Sequence, residues 1–301
     1  MAGAFTAVDL SKLPFPDAVE VPTFEVLLAE YIADLQARDP VFTALLESDP
    51  AYKVMEVCAY REILMRQRVN EAIKAVTLAY ATGADLDQIA ANYGVERLVI
   101  DPGDETTVPP RPPVLESDEA LRRRVQLSFE GFSTAGPAGA YIFHSLGADP
   151  RVLDAAAYGP PETPGVVRVA VLSNEGDGTA PGDLLDIVDA TLSDEDVRPL
   201  TDDVHVESAV ILPYAVNATI VMYPGPDATV VLDAARAALD VYVETNHRLG
   251  RDVTLSGLYA ALHQEGVQNV VLSAPTVSIV AAWNQATHCT GITIIDGGTG
   301  E

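Results

Sequence analysis

Five histidines, two cysteines and a surplus of carboxylates are the side chains in this sequence with the means to do chemistry. His144, His205, His247, His263 and His288 are scattered and form no HxxxH, HxH or HExxH pattern, so a zinc site would need three distant residues to converge. His144 in YIFHSL and His263 in YAALHQEG read as hydrogen-bonded helix histidines. Cys58 and Cys289 are far apart and lack metal-like neighbours, which suits small buried thiols in a reducing compartment. The turn NEGDGTAPGD at 174–183 has carboxylates and glycines, but lacks the alternating oxygens and terminal Glu of a calcium loop. No Lys-Ser/Thr follows it, so it is no phosphate loop, and it reads as a turn that caps a helix at Asp183. Acidic runs at Asp194, Glu195, Asp196 and at Asp202, Asp203 could line a hydrolase cleft near 174–203. A single tryptophan, Trp283, and 6% aromatic residues give poor support for a sugar platform, so a solvated acidic turn is the better reading. The one dense basic cluster, Arg122, Arg123 and Arg124, is expected to bind carboxylates of the protein or of a partner.

The stretch 60–98 is informative because it lacks such groups. A helix is expected from Pro50 or Ala51 to about Thr82, roughly 45 Å at 1.5 Å per residue, with Gly83 as its C-cap. Met55, Cys58, Glu62, Met65, Val69, Ala72, Val76 and Ala79 recur at alternating three- and four-residue steps, the stride of a coiled-coil seam with one charged interruption. Arg61 and Arg68 occupy an adjacent stripe, and Glu62 can pair with Arg66 at i,i+4. These residues are the expected bundle interface, and no catalytic, cofactor or metal residue is assigned.

The remaining elements follow from periodicity and turn residues. Residues 1–22 read as an extended arm, with Pro14, Pro16 and Pro22 preventing a helix and Phe5, Leu10, Leu13 and Phe15 as anchors. Thr23 is an N-cap for FEVLLAEYIADLQARD, and Asp85 for LDQIAANYG. Residues 101–116 are a Pro-rich acidic linker. EALRRRVQLSFEGF and AYIFHSLGA are helices, and from Arg151 the texture changes to strand alternation. VLDAAAY, VVRVAVLS, DDVHVESAVILPY, AVNATIVMYPG, VQNVVLSAP and CTGITII read as strands, with DLLDIVDATLS, PDATVVLDAARAALDVYVETNHR and DVTLSGLYAALHQEG as helices. GGTGE reads as a flexible tail. The expected fold class is α+β multidomain: an N-terminal helical region with a long coiled-coil-like helix, then two small α+β sandwich domains. The expected domains are an arm 1–22, a helical core-bundle region 23–100, a linker 101–116, a middle α+β domain 117–206 and a C-terminal α+β domain 207–301.

Composition narrows the partners. The net charge is -26, from 44 acidic and 18 basic residues, and such a chain repels nucleic acid and anionic membrane surfaces. The N-terminus lacks a basic segment followed by an apolar core, so no signal peptide is expected, and no apolar run approaches the roughly 18 residues of a membrane span.

Several segments, in order and at normal spacing, carry a resemblance: VDLSKLPFPDAVE, AYREILMRQRVNEAIKAV, GADLDQIAANYGVERL, ESDEALRRRVQLSFEGFSTAGPAGAYIFHSLGADPRVLD, VAVLSNEGDGTA, EDVRPLTDDVHV, YPGP and HRLGRDVTLSGLYAALHQEGVQNVVL. Through them the chain resembles the baseplate J-like wedge proteins of contractile-tailed phages and phage-tail-like bacteriocins, over almost its whole length. The resemblance implies a structural wedge protein of the virion's tail baseplate, assembled in the host cytoplasm and needed for ring assembly and for triggering sheath contraction. It implies wedges in a six-fold ring around the hub, each with two copies of such a chain joined to a smaller protein, baseplate protein I, through a helical bundle. A sheath initiator, baseplate protein W, docks nearby, and the C-terminal domain closes the ring on the neighbouring wedge. It implies no cofactor. The alternative is a soluble hydrolase with an acidic cleft; a receptor-binding module is disfavoured by the absence of fibre-like repeats and aromatic-rich loops.

Overall fold

Thr23 opens the first helix as its sequence position suggests: its hydroxyl accepts from Val26 N–H at 3.4 Å, and α1 runs Phe24–Arg38. The computed structural model describes residues 8, 10–15, 18–43, 45–133, 135–225 and 227–300. Phe5 and Pro16 of the arm and Glu301 of the tail lie outside the described residues. The chain divides into two compact units, one holding Val8–Arg97 with Ser117–Arg122 and the other residues 98–116 and 123–300.

In the first unit α1 packs on α2 (Pro50–Ala75). Leu27, Leu28 and Ala59 form the buried centre, with Phe24, Tyr31, Ile32, Tyr52, Met55 and Ile63 around it. Tyr31 Oη donates to Glu62 Oε2 at 2.5 Å, and Arg66 donates to Glu62 Oε1 at 2.6 Å. The described part of the arm lies along the C-terminal half of α2. Asn70 bonds both the N–H and the C=O of Val19, Arg66 donates to Glu20 O, and Phe15 packs edge-on against Tyr80 with Lys74 over its face.

The long helix is shorter than its seam predicts. α2 ends at Ala75, so Val76 and Ala79 fall in the turn that follows and not on the helix. Its 26 residues span about 39 Å. The cause is partly local: the Thr77 hydroxyl donates to Lys74 O, competing with the helical ladder. It is partly distant: Arg122 donates to Leu78 O at 2.7 Å and Ala81 O at 2.6 Å, fixing the turn. Gly83 does not cap α2. It opens α3 (Gly83–Ala91), with Thr82 and not Asp85 at the N-cap, and the Asp118 carboxylate accepts its N–H. Arg97 joins Asp87 and Asp118, each at 2.7 Å.

Among the described residues the second unit begins at Leu98. The expected linker 101–116 folds back on itself as antiparallel β1 (Val99–Asp101) and β2 (Val114–Leu115), with a further bridge between Asp104 and Arg111. Gly103, at φ 73°, lies so close to the backbone of Arg111 and Pro112 that a Cβ there would collide with it. Glu116 ends this hairpin and accepts from Leu98 N–H at 3.1 Å and from Arg124 at 2.7 Å. Arg124 sits on α4 (Asp118–Gly131).

Two mixed sheets follow, each with helices on one face, and the fold is α+β. The first has order β3-β4-β5: β3 (Val152–Tyr158) is antiparallel to β4 (Val166–Ser173), and β4 is parallel to β5 (Asp203–Ser208). α5 (Ala138–Ala148) and α6 (Gly182–Leu192) bury Tyr141, Leu146, Leu184, Val188 and Leu192 against Val152, Val169 and Val171. Pro181, and not Asp183, is the N-cap of α6. The second sheet has order β7-β6-β8, with β6 (Val210–Met222) antiparallel to β7 (Val267–Ala274) and parallel to β8 (Gln285–Thr299). α7 (Ala228–Asn246) and α8 (Leu255–Leu262) cover it through Val231, Ala235, Leu239, Leu258 and Leu262.

Two boundaries differ from the sequence reading. The break between strands comes at Ala209, so Val210–Tyr214 belong to β6. The closing glycines are not a loose tail: β8 runs to Thr299, and Gly300 N–H bonds Met222 O at 2.9 Å.

Candidate interaction surface on the long helix

A helix of 3.6 residues per turn divides its residues between faces, and the two faces of α2 differ sharply. One holds Met55, Ala59, Glu62 and Ile63 against α1; Ala59 is fully buried. The opposite one carries Val54, Val57, Arg61, Leu64, Met65, Arg68, Val69 and Ala72. Its five larger apolar residues, Val54, Val57, Leu64, Met65 and Val69, are 38% to 71% exposed. A row of exposed apolar residues of this kind in an acidic chain is a candidate interaction surface.

The expected interface residues divide accordingly. Arg61, Met65, Arg68, Val69 and Ala72 lie together on the exposed stripe. Met55 and Glu62 face α1 of the same chain, Cys58 is half-buried at the edge, and Val76 and Ala79 are off the helix. Val54, Val57 and Leu64 belong to the stripe and were missed. The charge at Glu62 was the available signal: a carboxylate in a seam marks a partnered position, and Tyr31 and Arg66 are its partners. Their hydrogen bonds, Tyr31 first, hold the Glu62 carboxyl below its ordinary range.

Several of the groups with chemical potential elsewhere are engaged in structure. Across 174–203, Asp177 accepts from Thr179 N–H, Asp194 from Asp196 N–H and Asp202 from Tyr141 Oη at 2.7 Å. Asp183 is held by Arg151 and Asp203 by His205. Burial, with Asp202 adding to it, pushes the Tyr141 phenol up. His144 lies 3.3 Å from Gly131 O, and burial holds its imidazole below the ordinary value. Among the described residues no group of three His, Cys, Asp or Glu side chains could hold a metal ion. No helix among them is long and apolar enough to cross a membrane. Arg123 and Arg124 bind carboxylates, Asp154 at 2.6 Å and Glu116 at 2.7 Å, whereas Arg122 binds carbonyls.

Asp154 is the most connected of these side chains. It is 5% exposed and sits on β3. Oδ1 accepts from Arg123 and from Ala155 N–H, and Oδ2 accepts from Leu249 N–H at 3.0 Å. Beside it Leu172, Ala209 and Ala286 pack with Leu153, Ile211 and Leu249, an apolar contact between the two sheet domains. Tyr158 stacks on Trp283 at 5.2 Å, with Arg168 over the same ring.

Polar groups that serve the scaffold and an exposed apolar helix face are what a structural component of an assembly would show. Comparison with known proteins makes this specific. Residues 47–104 match the baseplate J-like N-terminal domain, 133–208 the central domain and 214–295 the C-terminal domain. The chain belongs to the baseplate J-like family. It is 48% identical over 301 residues to baseplate protein J of Escherichia phage P2, covering 98% of this chain and 99% of that one. It is accordingly a structural protein of the phage tail baseplate and part of the virion. A chain of the cryo-EM structure of the anti-feeding prophage (AFP) baseplate, 6-fold symmetrised, aligns at 18% identity with a TM-score of 0.41. That alignment covers 60% of this chain and 44% of the other, so this chain spans under half of that neighbour's length.

Proposed function

We propose that this chain is a wedge protein that builds the baseplate ring around the tail hub and takes part in triggering sheath contraction, without catalysis of its own. The exposed stripe of α2 carries the reading, because burying it requires another chain. In this reading α2 joins a helical bundle with a second copy and with a protein like baseplate protein I. A protein like the sheath initiator W docks nearby, and the C-terminal sheet domain contacts the next wedge of a six-fold ring. The functional division is an arm 1–22, a bundle region 23–100, the hairpin segment 101–116, and sheet domains over 117–206 and 207–301. Assembly takes place in the host cytoplasm.

Co-expression with the products of the neighbouring baseplate genes tests this. Val69→Asp puts a carboxylate in the stripe, where covering it without a counter-charge costs several kcal/mol. The expected result is loss of co-elution on size exclusion with unchanged circular dichroism. Co-elution equal to wild type would refute the docking of α2.

A further inference from the structure

Arg61 and Arg68 sit one heptad apart in the middle of the exposed stripe, among Val54, Val57, Leu64, Met65 and Ala72. Four other arginines of this acidic chain are held close. Arg66 pairs with Glu62, Arg97 with Asp87 and Asp118, Arg123 with Asp154, and Arg124 with Glu116. Arg61 has no hydrogen bond or ion pair among the described residues. Arg68 reaches only Glu71 on its own helix, at 3.3 Å, with side chains 82% and 62% exposed. A surface pair of that kind holds little.

A guanidinium kept free in a chain with 44 carboxylates has been kept away from them by position. Once the apolar residues around it are covered, it must find a counter-charge or remain buried without one, which is strongly unfavourable. A parallel, in-register copy of α2 does not suit the stripe itself, since it would set Arg61 against Arg61 and Arg68 against Arg68, so the second copy of the bundle has to meet another face of α2 and leave the stripe to the unlike chain. A bidentate carboxylate suits each guanidinium. We propose that the stripe receives an amphipathic helix of an unlike chain that carries two carboxylates one heptad apart, and that Arg61 and Arg68 fix its register. This rests on the docking of α2 stated above and names the chemistry of what docks.

The test uses the full chain and fluorescent synthetic helices of four heptads with a leucine-isoleucine seam. Glu, Gln or Lys occupies two flanking positions one heptad apart, and a fourth peptide copies residues 50–77. Fluorescence anisotropy should show the Glu helix binding about tenfold more tightly than the Gln helix, with the Lys helix weakest. The preference should disappear in Arg61→Gln/Arg68→Gln and reverse in Arg61→Glu/Arg68→Glu. Equal affinity for the Glu and Lys helices, no binding of the Glu helix, or tightest binding of the 50–77 peptide would each overturn the proposal. If any of these occurs while Val69→Asp still abolishes co-elution, docking of α2 stands and only the acidic partner falls. If Val69→Asp also co-elutes normally, both fall.

Discussion

Replacing Asp154 with Ala should loosen the two sheet domains from each other before it unfolds either. The side chain is 5% exposed and serves three donors: Arg123 Nη2 at 2.6 Å, Ala155 N–H at 2.9 Å and Leu249 N–H at 3.0 Å. Each backbone donor left without its acceptor costs about 1 kcal/mol net. Arg123 is 34% exposed and regains water when released, so its pair is discounted to about 1 kcal/mol as well. The loss is then about 3 kcal/mol, which in a unit of this size lowers the melting temperature by about 6–12 °C. Trp283 is the only tryptophan in the sequence, and its ring stacks on Tyr158 of the other sheet domain at 5.2 Å. Its emission therefore reads this joint directly during urea unfolding. We expect an early shift in Trp283 emission in Asp154→Ala and faster amide exchange at Leu249. Asp154→Asn should not rescue it, because the new amide N–H2 must face either Arg123 or a backbone N–H, donor against donor. A loss under about 1 kcal/mol with unchanged Leu249 exchange would refute the view that this carboxylate ties the domains together.

Glu116→Ala should cost about 3 kcal/mol in urea unfolding, because it removes the buried carboxylate that receives both Arg124 and Leu98 N–H. The hairpin at 99–115 should then become susceptible to limited proteolysis at its open ends. His144 gives a pH dependence. Burial holds its folded pKa below the ordinary 6.5, so the unfolded chain binds a proton that the fold resists. Stability should fall as pH drops below about 6.5, and His144→Gln should flatten that part of the slope in denaturant titrations.

Local chemistry was the legible part of this sequence. Thr23 caps α1 through an atom three residues away, and the β-branched apolar run of VVRVAVLS or the apolar stripe of DLLDIVDATL needs no distant information. What escaped the reading depends on partners far along the chain. The end of α2 is fixed by Arg122, more than forty residues on, acting on Leu78 and Ala81. The closing glycines become strand only because β8 has β6 to pair with. The Pro-rich segment becomes a hairpin because Glu116 ties its end to Leu98 and Arg124.

The expected bundle face shows the same limit. A heptad can be drawn through α2 in two registers, and the sequence does not say which face α1 will take. Choosing Met55 and Glu62 for the partner left no place for the apolar side of α1. Once Leu27 and Leu28 occupy that face, only the other register remains open to another chain. The acid excess fits this division. Net charge keeps free copies apart in solution, while Arg123, Arg124 and Arg97 are spent inside the fold, on Asp154, Glu116 and Asp118. Arg61 is withheld from that use and set among exposed valines and leucine. In a chain with so few cations, that placement is what motivates the proposal that an unlike subunit docks on this face.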